Sequence, residues 1–129
     1  MKYLITESRL EETIMNYLDN LFEIDNLNWT HPYDYDDDTG YEGEDENRIE
    51  FYIGDYQGDQ EGCFRWYGCD YFNEGSYAKD ICPTISIENE YVNTLNGYFG
   101  DSWQEPFKKW IKLHFEIPVK TVEWFGIYD

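Results

Sequence analysis

The sequence predicts an α+β fold, a small antiparallel sheet of three to four strands packed against two to three helices. Three observations carry that expectation. A helical apolar stripe runs over residues 10–22, strand-like alternation appears between 49 and 87, and two further helical stripes occupy 89–115. Strands in succession, with helices grouped before and after them, pack most simply as a meander under helices. With 129 residues, no internal repeat and no linker, one domain over 1–129 is expected.

The elements follow in order. Thr6 or Ser8 can cap a first helix, and Ser8 with Glu11 has capping-box spacing. Leu10, Ile14, Leu18, Leu21 and Phe22 then form one helical stripe that ends near Ile24, and Asn26–Pro32 breaks it. Ile49, Phe51 and Ile53 alternate with Glu50 and Tyr52 as a first strand, and Gly54–Gly62 reads as a turn region. Phe64 and Trp66 make a second strand with Arg65 and Tyr67 on its other side. After the Asn73–Ser76 turn, Ile81, Ile85 and Ile87 suggest a third strand, interrupted early by Pro83. Val92 and Leu95 mark a short helix over 89–98 that ends near Gly97 or Gly100. A stronger helix from about Trp103 to Phe115 places Phe107, Trp110, Ile111, His114 and Phe115 inward, with Lys108, Lys109 and Lys112 outward. Pro106 fits only its first turn, Pro118 ends it, and Val119–Trp124 closes the chain as a last strand.

Charge dominates the composition. Nine Lys and Arg stand against 28 Asp and Glu, a net charge of -19. So acidic a chain would be disordered if its apolar content were low. Here 41% of residues are hydrophobic and 20% aromatic, which is enough to build a core. Residues 1–90 hold 23 acids and 5 bases, whereas residues 91–129 hold 5 and 4. Self-repulsion within so dense a patch costs stability, so something other than folding favours it. The same charge repels nucleic acid and anionic membrane, and neither is expected as a direct ligand.

The densest segment is 33–46, in which eight of fourteen residues are carboxylates and none is basic. Asp34, Asp36 and Asp38 alternate on one side of Thr39-Gly40, and Glu42, Glu44 and Glu46 alternate on the other. In an extended arm, carboxylates at i and i+2 stand about 6.6 Å apart on one face. That spacing is comparable to successive phosphates along a nucleic-acid strand. The candidate partner-binding residues are therefore Asp34, Asp36, Asp37, Asp38, Glu42, Glu44, Asp45 and Glu46. Glu50, Asp55, Asp59 and Glu61 extend the negative field. Among the interleaved tyrosines, Tyr35 and Tyr41 fit contact roles and Tyr52 fits sheet packing equally well.

Catalytic signatures are missing. Asp34-x-Asp36-x-Asp38 resembles the opening of a calcium loop, but glycine falls at its seventh position (Gly40) and Asp45 at its twelfth. A metal-dependent nuclease would need cations near its acids to draw in a polyanion, and Arg48 is the only base in 34–61. His31 sits beside Pro32 in a loop, and His114 falls on the buried edge of the last helix, where it reads as a core histidine. There is no phosphate-binding glycine loop, no HExxH and no zinc ligand set. Carboxylate pairs suited to glycoside hydrolysis arise by chance in any protein this acidic. The sequence predicts no enzyme, no cofactor and no metal.

Cys63, Cys69 and Cys82 are odd in number and follow no secretory signal, so they read as reduced core or strand thiols of a cytoplasmic protein. No apolar run approaches the roughly 20 residues that span a bilayer.

The opening Lys2-Tyr3-Leu4-Ile5-Thr6-Glu7-Ser8-Arg9-Leu10 resembles the start of many small bacteriophage-type proteins, and Phe107–Ile111 through Pro118-Val119-Lys120 resembles their helix-then-strand ending. The resemblance covers about a quarter of the chain and implies a phage-type origin without implying an activity. With the acidic segment, it leads to the expectation of a nucleic-acid-mimic inhibitor of anti-CRISPR or anti-restriction type. Such a protein would occlude the basic groove of a host nuclease or CRISPR effector in the host cytoplasm. Two alternatives are an immunity protein that neutralises a cognate nuclease toxin and a calcium-binding phage accessory protein.

Overall fold

The structure, a computed structural model, describes residues 7–31, 33–36, 41–44, 46–54 and 63–125. Helix α1 (Glu7–Leu21) leads through a 3-10 turn into β1 (Leu27–Thr30). Strands β2 (Tyr33–Asp36), β3 (Tyr41–Glu44), β4 (Arg48–Ile53) and β5 (Phe64–Tyr67) follow. The short helix α2 (Ala78–Ile81), β6 (Thr84–Glu88), α3 (Asn89–Phe99), α4 (Gln104–Phe115) and β7 (Thr121–Phe125) complete the chain.

The fold is α+β, with a larger sheet than the sequence suggested. Five strands pair in the order β1-β4-β5-β6-β7, and β2 and β3 form a separate two-stranded ribbon. The sheet is mixed, because β7 lies parallel to β6 while every other pair is antiparallel. The physical reason is the connection. A tight turn returns a chain antiparallel, whereas β6 reaches β7 across two helices, and a helical crossover brings the chain back in the same direction. Strand β1 lies in the 26–32 stretch that the sequence marks only as a helix break. Its Leu-Asn-Trp-Thr is too short to show a period, and its place is set by pairing with β4.

The helices cover one face of the sheet. Ile14 and Leu18 from α1, with Phe22 just after it, meet Phe107, Trp110 and Ile111 from α4 over Phe51, Phe64, Ile85 and Ile87 from the strands. The Phe22 ring lies 5.0 Å from Phe64 and 5.7 Å from Trp110, and Phe51 stacks on Phe64 at 4.5 Å. Such ring pairs add to the burial term. Helix α3 ends at Gly100, whose φ of 62° lies in the left-handed region that favours glycine. The indole of Trp103 then donates to Asn96 Oδ1 at 2.7 Å, tying the end of α3 to the start of α4.

Several local expectations change. Helix α1 already includes Glu7, so Ser8 lies inside its first turn and not at a cap; Thr6 is outside the described residues. Ile81 belongs to α2, and the third strand begins only after Pro83. His114 is exposed instead of buried in the core. Its Nε2 sits 3.4 Å from Asp19 Oδ1 at the surface edge between α4 and α1.

The cysteine reading also changes. Cys69 and Cys82 are joined by a disulfide, with Cα atoms 5.1 Å apart across 13 positions, and only Cys63 is free. Twelve intervening residues hid a contact made beside the end of β5 and the start of β6, where Tyr67 pairs with Thr84. The bond removes the redox argument for a cytoplasmic location. Closing a loop of about this size stabilises a fold by about 3 kcal/mol. Replacing both residues by serine, or adding a dithiol, therefore lowers the urea midpoint by the equivalent amount. Equal midpoints with and without reductant would show that the bridge contributes nothing in solution.

Burial pushes the Cys63 thiol from its ordinary 9.0 up to about 12, and pushes the Tyr91 phenol from 10.0 up to about 12. The unfolded chain releases these protons at lower pH than the folded one. Their contribution to stability is complete below pH 9 and is lost as pH rises towards 12. A melting series over this range shows a steady alkaline decline, made shallower by Cys63→Ser. A flat series would contradict the burial of both groups.

Candidate functional site: an acidic ribbon nested in a hairpin

The acidic segment forms strands. Residues 33–36 and 41–44 pair antiparallel, with Tyr33 opposite Glu44, Asp34 opposite Gly43, Tyr35 opposite Glu42 and Asp36 opposite Tyr41. In chain order this ribbon is nested inside the β1–β4 pair, itself antiparallel with Thr30 opposite Glu50. The ribbon is a sheet of its own, inserted in the chain between two neighbouring strands of the main sheet. That placement gives the acidic strands a covalent anchor in the packed body at both ends.

The register has an electrostatic consequence. In an antiparallel pair, residues directly opposite share a face, and successive residues alternate faces. Positions 34, 36, 41 and 43 therefore share one face of the ribbon, and 33, 35, 42 and 44 share the other. The aspartate row of β2 and the glutamate row of β3 fall on opposite faces. No acid stands directly opposite another acid; each faces a tyrosine or a glycine. Like charges set directly opposite are destabilising, so this register lets a strongly anionic ribbon pair.

The other sequence candidates separate into two groups. Asp37, Asp38, Asp45, Asp55, Asp59 and Glu61 lie outside the described residues. Glu46 is exposed in the turn that leads from β3 into β4. Glu50, on β4, is partly buried with Oε1 3.7 Å from Arg65 Nε on the neighbouring strand. Asp34 and Asp36 occupy a paired strand, whereas the calcium motif they resemble needs a loop that curls round its ion between two helices. Among the described residues, no three His, Cys, Asp or Glu side chains come together as a metal-ligand set.

The chain matches no protein-family model, no curated protein and no solved structure.

At the foot of the ribbon the structure brings together residues the sequence left unconnected. Trp29, His31 and Glu46 meet Trp66, Phe115 and Ile117 round a cavity of about 330 Å³. His31 follows β1 directly, with its Nδ1 3.0 Å from the Arg48 carbonyl oxygen. A carbonyl only accepts, so Nδ1 carries a proton towards it, and in that tautomer Nε2 is the nitrogen left with a lone pair. Trp29 meets the His31 ring edge-on at 5.3 Å and is 52% exposed. The Trp66 indole N–H donates to the Pro118 carbonyl at 2.8 Å, which holds that ring in place. Gly68 approaches Trp66 so closely that an added Cβ would lie 2.8 Å from the ring. Gly68→Ala therefore forces the indole to move, and is expected to shift the Trp66 indole N–H resonance. Within the sequence, the sole trace of this site is the i, i+2 spacing of Trp29 and His31.

Proposed function

We propose that this protein binds the basic nucleic-acid groove of a partner protein and blocks it by occupying the place of the nucleic acid. The observation that carries the reading is the acidic ribbon. It places acidic residues at alternate positions of a two-stranded element joined to the packed body at both ends. A net charge of -19, concentrated in residues 1–90, supports a cationic target. The two acidic rows on opposite faces suit a ribbon that enters a cleft and meets both of its walls. Lysine and arginine side chains that would hold phosphates then hold carboxylates. The phage-type resemblance of the chain's opening supports a mobile-element inhibitor acting on a host defence nuclease or CRISPR effector.

Affinity capture from a bacterial lysate at low and at high salt tests this reading. A basic nucleic-acid-binding protein is expected in the low-salt eluate and is released as salt rises. With the purified target, the protein competes against duplex DNA or RNA. Its association rate falls by a factor on the order of 10 to 1,000 as screening increases. Capture of no such protein at low salt would overturn the proposal.

A further inference from the structure

We infer that the cavity at the foot of the ribbon is a receptor for an arginine side chain presented by a protein partner. Its walls are apolar and largely aromatic, from Trp29, Phe51, Trp66 and Phe115 with Ile49 and Ile117, and no lysine or arginine lines it among the described residues. Glu46 lines it and supplies a carboxylate acceptor, and His31, whose Nδ1 is engaged with the Arg48 carbonyl, lines it too. The indole N–H of Trp66 is committed to Pro118, so that ring offers its surface and not a donor.

This inventory selects a cation on an apolar stem. Aromatic faces attract cations, and a planar guanidinium can stack on a ring while its N–H groups donate to a carboxylate. An anion would meet Glu46 unfavourably, and a neutral apolar group would leave that carboxylate partly desolvated without a partner. A volume of about 330 Å³ is at the small end of ligand sites, suited to one side chain. Placement strengthens the assignment. His31 precedes β2 by two positions and Glu46 follows β3 by two, so two of the lining residues flank the acidic ribbon in the chain. A cationic surface drawn to the ribbon would find this cavity beside it. The identity of the source as a basic protein rests on the proposed function; the chemistry of the cavity does not.

The test uses the whole protein and a free probe. N-acetyl-arginine methylamide is titrated while the indole N–H resonances of Trp29 and Trp66 are followed by NMR, with the norleucine and glutamine analogues as controls. The arginine probe is expected to shift both resonances saturably, and the controls are not. Glu46→Gln and Trp29→Ala are each expected to weaken binding about tenfold. Both positions are well exposed, and the resonances of the buried Trp103 and Trp110 report that each variant is folded. Absence of a saturable shift, equal binding of the norleucine analogue, or unchanged affinity in Glu46→Gln would each overturn the inference. Because no partner is present, failure of the ribbon mechanism leaves this result untouched. Conversely, a cavity that ignores arginine leaves the ribbon mechanism standing.

Discussion

Under the proposed function, reversing Asp36, Asp38, Glu42 and Glu44 to lysine is expected to abolish partner binding and leave the fold intact. Each reversal adds two positive charges, so the net charge moves from -19 to -11. Attraction at the interface becomes repulsion, and like-charge juxtaposition costs several kcal/mol, a loss of more than about a hundredfold in affinity. Stability should hold or rise, because the same change relieves self-repulsion in the most anionic part of the chain. The register is compatible with the exchange: Asp36 pairs across to Tyr41, Glu42 to Tyr35 and Glu44 to Tyr33, so no new lysine directly faces a lysine in these described pairs. Reversal of Asp101, Glu105, Glu116 and Glu123, outside the ribbon, makes the same change in net charge and should retain most of the binding. Two measurements settle the outcome, competition against nucleic acid and a melting curve. If both quadruple variants inhibit equally, long-range charge is at work and the ribbon has no specific part.

Trp110→Ala is expected to cost about 3 to 5 kcal/mol, a large share of the stability of a domain this size. The indole is fully buried, with ring centroids of Phe22, Phe64, Phe107 and Phe115 between 5.7 and 6.4 Å away. Its removal opens a cavity where α1, α4 and the sheet converge. Its Nε1 also donates to Asp19 Oδ1 at 2.8 Å, joining α4 to α1. Trp110→Phe separates the two roles. It keeps most of the apolar volume and removes the hydrogen bond, and should cost about 1 kcal/mol beyond the packing change. Urea denaturation followed by far-ultraviolet circular dichroism distinguishes the variants. An alanine variant within about 1 kcal/mol of the parent would mean the core repacks around the loss.

How far the structure was legible in the sequence depended on the length and chemistry of each element. Helices α1, α3 and α4 were visible because each repeats its apolar stripe over several turns. Strands β4 and β5 were visible because Ile49, Phe51 and Ile53, then Phe64 and Trp66, alternate cleanly with polar neighbours. Strand β1 and the parallel placement of β7 were not visible, since both depend on what lies beside them. The acidic segment was conspicuous as composition, while its register was not. Alternating Asp and Tyr satisfies either face equally, and only pairing with β3 assigned the rows to opposite faces. Trp29, Trp66 and Phe115 come from three elements, and His31 and Glu46 from the segments after β1 and before β4, so their convergence could not be read from spacing.

Taken alone, the order of residues determined three things about this protein. It is strongly anionic, its aromatic content supports a real core, and its acids are densest between positions 33 and 46. These are properties of counts and of local period, which survive without knowledge of contacts. Tertiary structure decided the rest: the mixed five-stranded sheet, the Cys69–Cys82 bond, the surface position of His114 and the aromatic cavity beneath the ribbon. Each joins residues distant along the chain, and such pairings are chosen by which surfaces bury best together across the whole molecule.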